Sequence, residues 1–213
     1  MNSSLVLDID GVLVRDPLLL AHVKSNIIEY VRQKVPSCSQ PARLNSVLYK
    51  RHGHTARGLQ QTFKVDTSDF NQKVYDGRVH DHLWSILSGN EFQRDAEIIH
   101  ELTRSGWDVT LFSNSPLYWS LPVAQAIGGD IKVHYDGLFL KPDVRGYMFE
   151  TDKQHLYIDD SLRNLQTAGT LPNWTPVYFR NENCPKTDQY PTVASVWEIG
   201  LLCRSISEWS LKN

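Results

Sequence analysis

The sequence is short of the features that mark several broad classes of protein. Its 213 residues include 22 Lys and Arg against 24 Asp and Glu, which gives a formal net charge of -2. Proteins that bind a nucleic-acid backbone carry a basic patch or stripe, and no such surplus of basic residues is present. No acidic tail or low-complexity block of the disordered kind is present either. We therefore expect a folded domain that does not bind a nucleic-acid polymer.

Long apolar runs are missing as well. Near the start, the apolar stretches 12–14 and 18–21 are separated by Arg15, Asp16 and Pro17, so neither approaches the roughly 20 apolar residues that span a bilayer. The short apolar segment 5–7 leads directly into an acidic residue, which is not the pattern of a signal peptide. We expect no membrane partner.

Cysteine is also scarce. The three cysteines, Cys38, Cys184 and Cys203, are an odd number and have no CxxC spacing, so they do not form a disulfide framework. Unpaired thiols are typical of proteins in a reducing compartment. The composition therefore predicts a cytoplasmic location.

The periodicity of apolar residues predicts an α/β core that is interrupted by helices. A buried strand is expected at 4–7, and after it helical spacing continues to about residue 75 without a strand. From Asn90 onward helices and strands alternate, which is typical of a parallel sheet with crossover helices. The predicted helices are 16–35, 43–51, 55–64, 68–75, 90–106, 117–127, 162–168 and 194–209, and the later strands are 108–112, 131–134, 155–158 and 176–179. The core is thus predicted to comprise residues 1–15 and 90–213, with a helical insert over 16–89.

Two carboxylates follow the first strand, in the segment Asp8-Ile9-Asp10-Gly11. Ligands in open α/β sheets bind at the carboxyl ends of the strands, so Asp8 and Asp10 are candidates for a site. A calcium loop is the structural alternative for this motif. It fails because, with Gly11 as the sixth loop residue, the first and twelfth positions are Val6 and Pro17, and neither is a carboxylate.

Three further segments carry polar residues that suit a phosphate and a divalent cation. Ser113 and Asn114 follow the second core strand and can hold phosphate oxygens. Lys141, followed by a proline, offers a cation. Asp159 and Asp160 end another buried strand, and two adjacent acids favour a bound cation nearby. All-oxygen ligands favour Mg²⁺ over zinc.

In this order, the four segments resemble the motifs of the haloacid dehalogenase-like hydrolase superfamily. The resemblance covers the chain from Leu5 to about Phe179. It implies a Rossmann-like core, a helical cap in place of the insert, and phosphoryl transfer through an aspartyl-phosphate. Asp8 would be the nucleophile, and Asp10 the general acid and base.

The same resemblance assigns the remaining residues. Ser113 and Lys141 would hold the transferring phosphoryl group, with Gly11 and Asn114 among the substrate-binding residues. The Mg²⁺ ligands would be Asp8, the backbone carbonyl of Asp10, and Asp159 or Asp160. The branch that cleaves carbon-halogen bonds lacks an acid at the position of Asp10, so the motif favours a phosphatase.

Caps of this superfamily lie at the position of the helical insert, and their residues determine which substrate binds. Tyr49-Lys50-Arg51-His52-Gly53, followed by Gly58-Leu59 and 70–76, is similar to the cap of the pyrimidine 5′-nucleotidase branch. This similarity implies a nucleoside 5′-monophosphate substrate, with Tyr49, His52 and Gly53 as binding residues. In the alternative interpretation these residues pack the helices or end them.

Two other functions remain open on the sequence. Caps of this size also serve phosphatases of sugar phosphates and other small esters. The third possibility is a non-catalytic subunit, because only a dozen residues separate Lys141-Pro142 from the strand at His155. Such a short crossover puts the position of Lys141 in question and is expected to expose one face of the sheet to a protein partner or a second copy.

Overall fold

The computed structural model describes residues 3–181 and 187–212. The chain forms two compact units. We call residues 1–15 and 86–213 the α/β unit, and residues 16–85 the helical unit. The predicted roles of these stretches as catalytic core and cap stay predictions.

The α/β unit is built on one parallel sheet, which confirms the predicted fold class. Its strand order is β3-β2-β1-β4-β5-β6, and every pairing between neighbours is parallel. The strands are β1 (Ser3–Leu7), β2 (Asp108–Phe112), β3 (Lys132–His134), β4 (Gln154–Asp159), β5 (Trp174–Phe179) and β6 (Thr192–Val193). The chain order reverses between β1 and β4, and such a reversal opens a crevice at the carboxyl ends of the strands.

Helices cover this sheet. They are α6 (Asn90–Arg104), α7 (Leu117–Ile127), α8 (Leu162–Ala168) and α9 (Val196–Lys212). Helix α8 packs on β4 and β5, while α6 packs on β2, α7 and α9. The central strand β1 is buried from Ser4 to Leu7, as expected of a parallel strand that is covered on both faces.

The short crossover does not expose the sheet, so that expectation is wrong. Between β3 and β4 the chain forms a 3-10 turn, Val144–Tyr147, instead of a full helix. Tyr147 is buried and packs edge-on against Phe112 and Trp174, with ring centroids 5.0 Å and 5.1 Å apart. Large aromatic side chains bury enough surface to replace the missing helix.

The helical unit contains α1 (Pro17–Lys34), α2 (Pro41–His52), α3 (Thr55–Phe63), α4 (Phe70–Val74) and most of α5 (Gly77–Leu87). The sequence did not predict α5, because Gly77 reads as the end of the preceding helix. Instead the carboxylate of Asp76 accepts a hydrogen bond from the amide of Val79 at 3.0 Å. Since such bonds are typical of N-cap residues, Asp76 starts a new helix at this glycine.

Two further sequence predictions concern the thiols and the membrane. Cys38 and Cys203 are free thiols, whereas Cys184 lies outside the described residues. Among the helices of the described residues, none has the length and apolar character needed to cross a bilayer. The cytoplasmic location stays a prediction.

Candidate active site

The carboxyl ends of β1 and β4 bring the predicted acidic residues side by side. Leu7 pairs with Leu111 of β2 and with Ile158 of β4, and Asp8 and Asp159 are the next residues in this register. The amide of Asp8 donates to the carbonyl of Ile158 at 2.9 Å. The parallel pairing therefore continues to the first residue of the site.

Lys141 reaches these strand ends in spite of the short crossover. Its Nζ lies 2.8 Å from Asp8 Oδ1 and 2.9 Å from Asp159 Oδ2. It also donates to the carbonyl of Phe112 at 2.8 Å, and only 2% of the side chain is exposed. Burial by itself lowers the pKa of Lys141, but the charges of Asp159 and Asp8 outweigh it, so that the pKa is raised. The ammonium is therefore permanently charged at neutral pH.

The side-chain amide of Asn114 binds both the backbone N–H and the backbone carbonyl of Lys141. Asn114 Oδ1 accepts from the backbone N–H of Lys141 at 2.7 Å, and Asn114 Nδ2 donates to its carbonyl at 2.9 Å. This double hydrogen bond ties the crossover segment to the loop after β2. Contact between the Asn114 amide and substrate stays a prediction, but the structure adds an anchoring role.

Asp8 is a desolvated carboxylate beside the ammonium of Lys141. Its Oδ1 accepts from the backbone N–H of Ile9 at 2.7 Å and lies against Lys141. Burial raises the pKa of Asp8, the charge of Lys141 lowers it, and the charges of Asp159 and Asp160 raise it further. A positive charge nearby is thus needed to keep Asp8 ionised.

Asp159 is fully buried, and both of its oxygens accept hydrogen bonds from the protein. The Oδ1 atom accepts from the Ser161 amide at 2.7 Å and from Asn164 Nδ2 at 3.1 Å. The Oδ2 atom accepts from Lys141, Tyr157 and Asn164. These bonds fix the carboxylate in one orientation.

Asp160 is the more accessible acid of this pair. Its Oδ2 accepts from Asn181 Nδ2 at 3.4 Å. Burial, and then the charge of Asp159, raise the pKa of Asp160 to about 7. Gly11 has a φ of 95°, and a Cβ there would overlap the Asp160 carboxylate. Glycine is therefore required both for its backbone conformation and for this close approach.

Asp8, Asp159 and Asp160 together could hold a metal ion. Each offers a carboxylate oxygen, and these atoms lie within 4.8 Å of one another. When ionised, three carboxylates and the Lys141 ammonium sum to a charge of -2, which a divalent cation would neutralise. Hard oxygen ligands of this kind suit Mg²⁺ or Ca²⁺. The Asp10 carboxylate does not belong to this group of three, and metal binding by its backbone carbonyl stays a prediction.

The Asp10 carboxylate is held by two side chains from the segment after β2. Its Oδ2 accepts from Ser115 Oγ at 2.5 Å, and its Oδ1 accepts from Trp119 Nε1 at 3.1 Å. Burial raises the pKa of Asp10, while these two hydrogen bonds and then the charge of Lys141 lower it in part. A carboxyl group with a raised pKa is suited to proton transfer near neutral pH.

Ser113 lies in the same loop and is almost completely buried. Its Oγ accepts from the amide of Ser115 at 3.0 Å. Because a hydroxyl both accepts and donates, its hydrogen can still be given to another oxygen. This arrangement is compatible with the predicted contact to a phosphoryl group.

The predicted residues of the helical unit lie at the end of α2. Tyr49 is 50% exposed. His52 Nδ1 lies 2.9 Å from Gln61 Oε1. Gly53 takes a φ of 77° and ends the helix, with its N–H bonded to the carbonyl of Tyr49. Gly53 thus has the helix-ending role, His52 links α2 to α3, and substrate binding by these three residues stays a prediction.

Four polar contacts of the site were not predicted from the sequence, namely those of Ser115, Trp119, Tyr157 and Asn164. A signal exists for Tyr157, because side chains two apart on a strand share a face and Tyr157 stands two residues before Asp159. Ser115 adjoins the predicted pair 113–114. No sequence signal separates Trp119 from the tryptophans that only fill the core.

Known structures share this fold. An HAD phosphatase from Thermococcus onnurineus superposes with a TM-score of 0.60 over 94% of this chain and 97% of its own, at 14% identity. A dehalogenase with an intermediate complex gives a TM-score of 0.54 over 93% and 96%, at 18% identity. A haloacid dehalogenase-like family hydrolase from Xanthomonas campestris gives 0.51 over 99% and 98%, at 14% identity. No protein-family model matches the sequence, and no curated protein matches it. The chain therefore has the haloacid dehalogenase-like fold over nearly its full length.

Proposed function

We propose that this protein is a phosphoric monoester hydrolase that works through an aspartyl-phosphate on Asp8. The observation that carries the proposal is the contact between Asp8 and Lys141 at 2.8 Å. Asp159 and Asp160 lie next to this pair, and Asp10 follows Asp8 by two residues in the sequence. A nucleophile, a cation, an acidic pair and a second acid are thus brought to one edge of the sheet. Function follows from such a site and not from the fold alone.

In the proposed reaction Asp8 attacks phosphorus, and the bond from phosphorus to the leaving oxygen breaks. Lys141 offsets the charge of Asp8 and of the phosphoryl oxygens, while Ser113 donates its hydroxyl hydrogen to one of them. Asp10 gives its proton to the leaving oxygen. Water then attacks phosphorus, gives a proton to Asp10, and releases phosphate and free Asp8.

We propose Mg²⁺ as the cofactor, held by Asp8, Asp160 and the Asp10 carbonyl, with Asp159 beside them. When bound, it would neutralise negative charge on the phosphate and on Asp8. The charge of -2 that the ionised residues leave supports a divalent ion at this position.

Asp10 favours phosphoryl transfer over carbon-halogen cleavage, although one structural neighbour is a dehalogenase. A halide leaves as a weakly basic anion and needs no proton, whereas an alkoxide leaving group does. The carboxyl group of Asp10, with its raised pKa, supplies such a proton.

The substrate we propose is a nucleoside 5′-monophosphate, in particular a pyrimidine nucleotide. Support comes from the sequence of α2 and α3 in the helical unit, and from the half-exposed ring of Tyr49, since aromatic rings stack on bases. A small sugar phosphate is the second candidate, because the site in the α/β unit recognises only the phosphoryl group.

The test is phosphate release from a panel of nucleoside monophosphates and sugar phosphates, with Mg²⁺ and with EDTA. We expect Mg²⁺-dependent release that favours pyrimidine nucleotides. Asp8→Asn should abolish it, while Asp130→Asn, which changes an exposed carboxylate, should leave it intact. Equal rates across the panel would refute the nucleotide assignment. Absence of release from every ester would refute the hydrolase and favour an assembly role.

A further inference from the structure

The indole of Trp119 donates a hydrogen bond within the candidate site of the α/β unit. Trp119 is fully buried near the start of α7, where most tryptophans would serve only as core anchors. Its Nε1 donates a hydrogen bond to Asp10 Oδ1 at 3.1 Å. A buried indole N–H usually finds an acceptor, and here the acceptor is the proposed general acid.

A second donor comes from the same segment of the chain. Ser115 Oγ donates to the other oxygen, Oδ2, at 2.5 Å. Ser115 precedes α7, and Trp119 lies in its first turn, where its amide bonds to the carbonyl of Pro116 at 2.9 Å. One continuous segment therefore holds both oxygens of Asp10, which fixes the plane of the carboxyl group.

The two donors differ in what they allow. The indole N–H can only donate, whereas a hydroxyl can either donate or accept. Oδ1 must therefore stay an acceptor in every protonation state. When Asp10 carries a proton, the compatible place for it is Oδ2, because the Ser115 hydroxyl can rotate and accept.

We propose that Trp119 and Ser115 are positioning residues, which hold Asp10 so that Oδ2 carries the proton given to the leaving oxygen. This inference rests on the proposed function. In the first half of the reaction the Oδ2–H bond breaks as the leaving oxygen gains its hydrogen, and in the second half water returns a proton to Asp10. The indole and the hydroxyl undergo no net change.

The experiment compares two substrates that differ in their need for an acid. An alkyl phosphate leaves as a basic alkoxide and needs the proton of Asp10, whereas p-nitrophenyl phosphate leaves as a stable phenolate. General acid catalysis contributes about 10²–10⁴-fold, so Asp10→Ala should slow the alkyl ester far more than the aryl ester. With Trp119→Phe, kcat for the alkyl ester should fall about tenfold and kcat for the aryl ester less than about threefold, because one of two donors is lost. Ser115→Ala, a smaller change that preserves the core, should show the same selectivity.

The control makes the same chemical change at the other end of β2. Trp107 is also buried, donates from Nε1 to Ser207 Oγ at 3.2 Å, and stands just before the strand. Trp107→Phe should alter both substrates by the same factor. In the Asp10→Ala background, Trp119→Phe should have no further effect, because a residue that acts only through Asp10 has nothing left to position.

The outcomes separate this inference from the proposed function. If the wild type hydrolyses both esters but Trp119→Phe and Ser115→Ala slow them equally, the positioning role is wrong and the phosphatase stands. An added loss from Trp119→Phe in the Asp10→Ala background would also overturn it. A wild type that releases phosphate from neither ester, nor from any member of the substrate panel, overturns both.

Discussion

Replacing Lys141 by Met tests whether this buried ammonium holds the acidic cluster together. Met keeps the aliphatic chain and removes the charge that lies 2.8 Å from Asp8 and 2.9 Å from Asp159. Removing one member of a buried ion pair costs about 3–5 kcal/mol, because the other charge is left uncompensated. For a chain of this size 1 kcal/mol changes Tm by about 2–4 °C, so we expect Tm to fall by about 6–20 °C in EDTA.

The loss should also depend on pH. Burial raises the pKa of Asp8, and the pKa of Asp160 to about 7, and removal of Lys141 raises both further. Carboxyl groups whose pKa is higher in the folded than in the unfolded state bind protons in the folded state, so stability falls as pH rises. The variant should therefore lose more stability at pH 8 than at pH 5.

An exposed lysine provides the matched control. Lys132 Nζ lies 2.7 Å from Asp108 and 2.6 Å from Glu150, but 47% of its side chain is exposed. Exposed ion pairs contribute about 0–1 kcal/mol, so Lys132→Met should lower Tm only slightly. Equal losses in the two variants, or a loss in Lys141→Met that does not change with pH, would refute the reasoning.

Four further substitutions give measurable outcomes. Gly11 and Gly106 both have a positive φ, near 95–97°, but only a methyl group at Gly11 would overlap the Asp160 carboxylate. Denaturant unfolding should therefore show that Gly11→Ala and Gly106→Ala each lower the free energy of unfolding by about 1–3 kcal/mol. Titration calorimetry should show weaker Mg²⁺ binding for Gly11→Ala alone. Asn114→Leu removes the two hydrogen bonds to the backbone of the buried lysine and should lower kcat at least about tenfold, and unchanged turnover would contradict the anchoring role. Burial lowers the pKa of His54 to about 4, below its unfolded value of about 6.5, so protonation favours the unfolded state. The free energy of unfolding should therefore fall by about 2 kcal/mol from pH 7 to pH 5. His54→Gln should make that fall smaller.

Local sequence patterns were sufficient to predict the positions of the strands and of the residues at their carboxyl ends. Asp8 follows an apolar run, and Asp159 ends another, so the position of each in a parallel sheet follows from its neighbours in the sequence. The presence of Lys141 at the same point could be expected only from the resemblance, because nothing in its local sequence sets its distance from Asp8. Its position depends on the two hydrogen bonds between Asn114 and its backbone, and on the aromatic residues that pack around the short crossover.

The environment of Asp10 depends on packing that sequence patterns do not encode. Trp119 is one of six tryptophans, and its local sequence does not mark it as a partner of Asp10. The acceptor of its indole N–H is determined by how α7 lies on the sheet, which is a property of the whole fold. Similarly, the sequence around Gly77 is compatible with the end of one helix or with the start of the next. The hydrogen bond from the Val79 amide to the Asp76 carboxylate shows that a helix starts there.

The central claim is that Asp8 becomes phosphorylated, and rapid acid quenching of the enzyme with substrate and Mg²⁺, followed by mass spectrometry of its peptides, tests it most directly. We expect one phosphoryl group on the peptide that contains Asp8, more of it in Asp10→Asn, where water is activated poorly, and none in Asp8→Asn. Phosphate release by Asp8→Asn, or a phosphoryl group on another residue, would contradict the account.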